Sequence, residues 1–107
     1  MSNFAGDQMN RMSLKAVARV FRALSEPNRL ELLNALRSGA KSVGELVEIT
    51  GLNQANVSKQ LKVLRERKFI SRTKNGRHSF YHISDPTIFD LCDLVCNKLR
   101  SRFISEE

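Results

Sequence analysis

Between residues 54 and 62 the chain places Gln54, Asn56, Ser58, Lys59 and Lys62 in a segment where Val57, Leu61 and Leu64 recur at spacings of four and three. Those apolar positions share one face of a helix, and the polar set is left on the other. The side-chain amides of Gln54 and Asn56 carry the donor and acceptor that match adenine N6 and N7 in a DNA major groove. Ser58 has a hydroxyl for a base edge or a phosphate. Lys59 and Lys62 are placed for phosphates, contacts that position a protein without reading sequence. Ala55 is counted with this outward set. Asn also favours helix starts for purely local reasons, so the weight of Asn56 comes from its neighbours.

The charge supports a polyanion partner. The chain has 107 residues, 18 Lys and Arg, 11 Asp and Glu, and a formal net charge of +7. From Lys59 to Arg77 there are eight basic residues and one acid, Glu66, so the whole excess falls in that stretch. A concentrated basic segment on an otherwise balanced domain is the electrostatic footprint of a nucleic acid. A solvated surface kept basic for solubility is the plainer reading. The architecture around the stretch favours the first.

That architecture follows from the periodicities. Leu14, Val17, Phe21 and Leu24 mark a first helix that should stop near Ser25-Glu26, before Pro27. Pro27 suits the first turn of a second helix, with Leu30, Leu32, Leu33, Ala35 and Leu36 on a wide apolar face. Ser42-Val43-Gly44-Glu45 reads as a capping box, and Thr50-Gly51 stops the short helix it opens. Asn53 caps the next helix, spanning 53–68, and so short a turn between two helices makes a helix-turn-helix. Phe69–Thr73 and His78–Ile83 then read as strands flanking Lys74-Asn75-Gly76-Arg77, where Asn-Gly signals a hairpin. Ser79, Tyr81 and Ile83 share one face of the second strand, and His78, Phe80 and His82 the other. Asp85-Pro86 opens a last helix with the stripe Ile88, Leu91, Cys92, Val95, Leu99 and Phe103.

The expected fold is mainly α with a β-hairpin: a winged helix-turn-helix of four helices, a two-stranded wing and a C-terminal dimerisation helix. Residues 1–12 are expected to be a flexible N-terminal tail, and 13–107 the DNA-binding domain. The helix 53–68 fits a major groove about 12 Å wide. Lys74 and Arg77, at the tip of the wing 72–80, are placed to straddle the flanking backbone or enter the minor groove. His78 is read as a phosphate contact and His82 as a surface residue. The stripes at the two ends of the chain, on 13–25 and 86–104, exceed what so short a chain buries internally, so self-association is their simplest sink. A dimer sets two recognition helices about 34–36 Å apart, one turn of DNA.

The sequence resembles the ArsR/SmtB family of bacterial transcriptional repressors from about Leu14 to Phe103. The resemblance is carried by the run Phe21 to Leu30 (FRALSEPNRL), by Ser42 to Leu46 (SVGEL), by Gly51 to Arg65 (GLNQANVSKQLKVLR), and by Gly76-Arg77 before Tyr81. It implies a winged-helix homodimer that binds a palindromic double-stranded operator and blocks transcription, with a dimer interface built from the first and last helices.

Many members of that family release DNA when a metal or metalloid binds, and this chain departs from their patterns. The segment Val43–Ile49 holds no Cys or His where one family site has Cys. Asp85 matches the first position of another site, but Thr87 and Lys98 stand where His is expected, and the Lys98 cation cannot ligate. Asn34 replaces the second-helix Cys of members that sense reactive sulfur. No metal site and no cofactor are therefore expected. Cys92 and Cys96, four apart on one helix face, remain as a candidate thiol sensor for an oxidant, arsenic(III) or another thiophilic inducer. Packing is the plainer reading of both, since Cys is among the most buried residue types.

Other classes fit less well. A winged helix used as a protein-interaction module predicts an apolar or acidic outer face on helix 53–68, and this one is polar and basic. RNA binding calls for aromatic platforms, and aromatic residues are 7% of the chain. No nucleophile–base pair, paired catalytic carboxylates or phosphate-cradling glycine loop is evident, so no catalytic residues are assigned. Two Cys are too few for a disulfide framework, no apolar run is long enough for a membrane span, and the polar N-terminus does not read as a secretory signal. A cytoplasmic location is expected.

Overall fold

The computed structural model describes residues 9–106, and side chains as far as residue 102. Five helices and one hairpin follow in the order α1 (Arg11–Leu24), α2 (Pro27–Leu36), α3 (Val43–Thr50), α4 (Gln54–Glu66), β1 (Ile70–Asn75), β2 (His78–Ile83) and α5 (Thr87–Glu106). α1 begins two residues before the expected start, because the Asn10 side chain accepts from the Ser13 amide at 2.9 Å and caps it there. α5 starts and ends slightly later than expected, and α4 is trimmed to 54–66 by the caps at Asn53 and Arg67. The expected tail below residue 9 and the stripe residue Phe103 lie outside what is described.

The local signals act as their chemistry dictates. Pro27 sits at the start of α2 behind Glu26, whose carboxylate accepts from the Asn28 amide at 3.1 Å. Ser42 and Glu45 form the reciprocal capping box, at 3.1 and 2.8 Å. Gly51, at φ 76°, closes α3 in the left-handed region. At the end of α4 the left-handed residue is Lys68, at φ 66°. There the Phe69 amide donates to Leu64 O and the Lys68 amide to Arg65 O, a Schellman closure with a side chain where glycine is the easy choice.

α2 is the central helix. Leu32, Leu33 and Leu36 are buried and pack with Leu46 of α3, Val57, Leu61 and Leu64 of α4, Phe69, Ile70, Tyr81 and Ile88. Each fully buried leucine contributes about 1.5–3 kcal/mol. Leu30, assigned to the same face from its spacing, is instead 40% exposed.

The hairpin departs from expectation by one residue. Asn75 pairs with His78, which leaves Gly76 and Arg77 as the two-residue loop. Gly76 takes φ 65° at the first loop position, the placement that type II′ turns require. Asn75 therefore ends β1, and Arg77 alone forms the tip with Gly76. A connection not anticipated anchors the wing: Lys41, before α3, exchanges both backbone hydrogen bonds with Tyr81 of β2, at 2.9 and 2.8 Å.

α5 projects from this body. The radius of gyration is 16.1 Å, against about 13 Å for a compact chain of this length. Ile88 roots the helix in the core. Farther along, Arg37 holds it by an ion pair to Asp93 at 2.5 Å and by stacking 4.5 Å over the Phe89 ring.

Candidate nucleic-acid interface

α3 and α4 meet through a turn of Gly51, Leu52 and Asn53, and the Asn53 side chain accepts from the Asn56 amide at 2.8 Å. With Val57, Leu61 and Leu64 turned into the core, α4 presents Gln54, Ala55, Ser58, Lys59 and Lys62 to solvent. On the wing, Lys74, Arg77 and His78 are exposed, and His78 leans on Phe80 with ring centres 6.4 Å apart. The wing borders α4 at a cleft lined by Ser58, Lys62, Arg65, Glu66 and Tyr81. The structure thus brings the helix set together and places the wing set beside it.

Asn56 is the exception. Its side chain is half-buried, and its Oδ1 accepts from Gln60 Nε2 at 3.0 Å. Gln60, 6% exposed, in turn accepts at Oε1 from Arg29 Nη1 at 3.0 Å. Arg29 also donates from Nε to Ala23 O at 2.5 Å and from Nη2 to Arg22 O at 3.1 Å, carbonyls of the last turn of α1. One guanidinium therefore joins the last turn of α1, through α2, to the flank of α4. A bidentate grip on adenine needs both the oxygen and the nitrogen of an amide. The oxygen of Asn56 already accepts one bond and its side chain is half-buried, which sets it apart from the freely exposed set on α4. Gln54 keeps its amide in solvent. Gln60 itself was missed because a glutamine reads as polar surface. The signal that marks it is its position between Val63 and Leu64 around the helix, at the edge of the apolar sector.

The thiols lie elsewhere. Cys92 is half-buried and Cys96 exposed, and both line a hollow of about 580 Å³ between α1, α2 and α5, together with Phe21, Leu33, Val95 and Leu99. Burial, then the neighbouring Asp93, pushes the Cys92 thiol up from its ordinary value, against thiolate formation. Arg100 donates to Cys96 Sγ at 3.7 Å. Among the described residues no three His, Cys, Asp or Glu side chains come together in an arrangement that could hold a metal ion. Nor is any described helix long and apolar enough to cross a membrane.

The apolar stripes at the chain's two ends are uncovered. Leu14 and Phe21 of α1 are both 52% exposed, and Val95 and Leu99 of α5 are 49% and 45% exposed.

Known proteins share this arrangement. A family model of bacterial regulatory proteins, arsR family, matches residues 26–72, which cover α2 through the start of β1. The chain is 38% identical over 78 residues to a probable mercury resistance operon repressor of Streptomyces lividans; the match covers 73% of this chain and 62% of that one. It is 34% identical over 93 residues to Rv0081, an HTH-type transcriptional regulator of Mycobacterium tuberculosis, over 86% of this chain and 81% of the relative. The crystal structure of that regulator superposes with a TM-score of 0.75, over 91% of this chain and 97% of the other. A homodimeric winged helix-turn-helix DNA-binding domain from Mycobacterium bovis is similar at 28% identity and a TM-score of 0.74, over 89% and 90% of the two chains.

Proposed function

The chain belongs to the ArsR family of bacterial regulatory proteins, and we propose that it is a DNA-binding transcriptional repressor acting in the cytoplasm as a homodimer on a palindromic operator. The observation that carries the reading is the exposed set Gln54, Ala55, Ser58, Lys59 and Lys62 on α4, flanked by a wing whose tip is basic. α4 enters the major groove. Gln54 reads a base edge, and Ser58, Lys59 and Lys62 hold phosphates or base edges beside it. Lys74, Arg77 and His78 reach the flanking backbone or minor groove. Asn56 acts through Gln60 and Arg29, setting the orientation of α4.

The homodimer rests on the exposed apolar residues of α1 and α5, which a second copy would cover. The M. bovis domain is a homodimer of the same fold. Cys92 and Cys96 then belong to the packing of that interface.

The test is selection of duplexes from a random pool at fixed salt with the thiols reduced. An enriched inverted repeat supports the reading. No enriched sequence, with weak binding to all duplexes, overturns it.

A further inference from the structure

The eight cations between Lys59 and Arg77 account for the net charge, yet the rest of the chain is neutral only in sum. Arg11, Lys15, Arg19 and Arg22 recur at spacings of four, four and three on α1, so they form one stripe along it. All four are exposed, and α1 contains no acidic residue. Among the described residues none of them enters an ion pair, the recorded pair being Arg37–Asp93.

A solvated helix face normally interleaves both signs at i, i+4. Here like charges sit at i, i+4, and Arg11 lies in the first turn, where the macrodipole disfavours a cation, while Arg22 lies in the last turn, where it is favoured. The stripe therefore works against its own helix unless an external anion meets it. It is also distinct from the exposed apolar line of Leu14 and Phe21, which leaves that line free for a second copy.

The position of α1 relative to α4 gives the anion its identity. Through Arg29, the carbonyls of Arg22 and Ala23 connect to Gln60 and thence to Asn56. The last turn of α1 is thus tied to the flank of α4 that carries Asn56 and Gln60. The wing borders the other flank, at Ser58 and Arg65. The residues Ala55, Lys59 and Lys62 lie between these flanks around the helix. A helix seated in a major groove has a phosphate strand on either side. The wing borders one of these sides, and the end of α1 that carries Arg22 is tied to the flank of α4 that faces the other.

We propose that the stripe of Arg11, Lys15, Arg19 and Arg22 is a second phosphate-binding surface, which clamps the DNA strand on the side of α4 away from the wing and lengthens the footprint. The proposal rests on the operator-binding reading above.

The experiment compares wild type with the triple variant Arg11→Gln, Lys15→Gln, Arg19→Gln, all three exposed. Helicity and the monomer–dimer equilibrium are checked first. Affinity for the selected operator is then measured across a salt series. Each lost phosphate contact flattens the slope of log K against log salt by about 0.9, so the slope should fall by roughly 2–3 with base preference unchanged. A triple Lys variant at Arg11, Arg19 and Arg22 should keep the wild-type slope. An unchanged slope in the Gln variant, with wild type still selective, overturns the proposal and leaves the operator reading standing. A weakened dimer with an unchanged slope at saturating dimer also overturns it, and assigns the stripe to acids of a second copy. Wild type without selective, salt-dependent binding removes the operator reading, and this proposal with it.

Discussion

Arg29 donates from Nη1 to Gln60 Oε1 at 3.0 Å, across 31 residues of sequence and between two helices. The same guanidinium holds the end of α1 and, through Gln60, the half-buried Asn56. The surface that α4 offers is thus set by a partly buried polar chain as well as by leucines. Such chains are stiff when every member is satisfied and costly when one is removed.

Gln60→Leu should therefore destabilise the fold by about 1–3 kcal/mol, because the half-buried Arg29 and Asn56 side chains lose the partner they share. Urea unfolding with an unchanged slope reads this directly. A midpoint equal to wild type would show that the Arg29–Gln60 bond adds nothing.

Gln54→Ala should cost about 1–3 kcal/mol of operator affinity and relax preference at one base pair. Asn56→Ala should instead lower stability without erasing preference at a single position. Competition against duplexes substituted at each base pair separates the two. Equal weakening on all sequences for Gln54→Ala would remove it as a base reader.

These two amides show how far the sequence could be read. The fold was legible because each signal was local: Pro27 at a helix start, Ser42 with Glu45, Gly51 at a helix end, and the change from helical to strand period after Lys68. The outward set on α4 was legible for the same reason, since Val57, Leu61 and Leu64 orient the helix. What escaped was set by distant partners. The engagement of Asn56 depends on Arg29, and the anchoring of the wing depends on Lys41 meeting Tyr81. The turn shifted by one residue because Gly76 serves as the first loop position as readily as the second, and strand register decided between them.

Lys59→Ala should weaken binding to all sequences alike and flatten the salt slope by about 0.9. Titrations on the operator and on an unrelated duplex check this. A loss confined to the operator would make Lys59 a base contact.

Lys68→Gly should stabilise the fold by roughly 1 kcal/mol, since a left-handed residue with a Cβ is strained and glycine is not. Thermal unfolding at constant protein concentration measures it. No gain would mean that the Lys68 side chain offsets the strain through contacts of its own.

The capping box gives a pH dependence. Hydrogen bonding from the Ser42 backbone amide holds the Glu45 carboxyl below its ordinary value of 4.5. Its contribution is therefore present above that value and is lost as pH falls through the depressed one. The Arg37 hydrogen bond likewise holds Asp93 below its ordinary 3.8. Stability should decline with acid below about pH 4.5, and Glu45→Gln should make that decline shallower. A wild-type slope in Glu45→Gln would exclude the box as a source.

The central claim is that two copies of α4 read one operator, each from its own half-site. Hydroxyl-radical footprinting on a selected duplex, with the stoichiometry measured on the same complex, tests it most directly. The account predicts two chains per duplex and two protected patches centred about 10–10.5 base pairs apart, or a multiple of that. A single protected patch bound by one chain would contradict it.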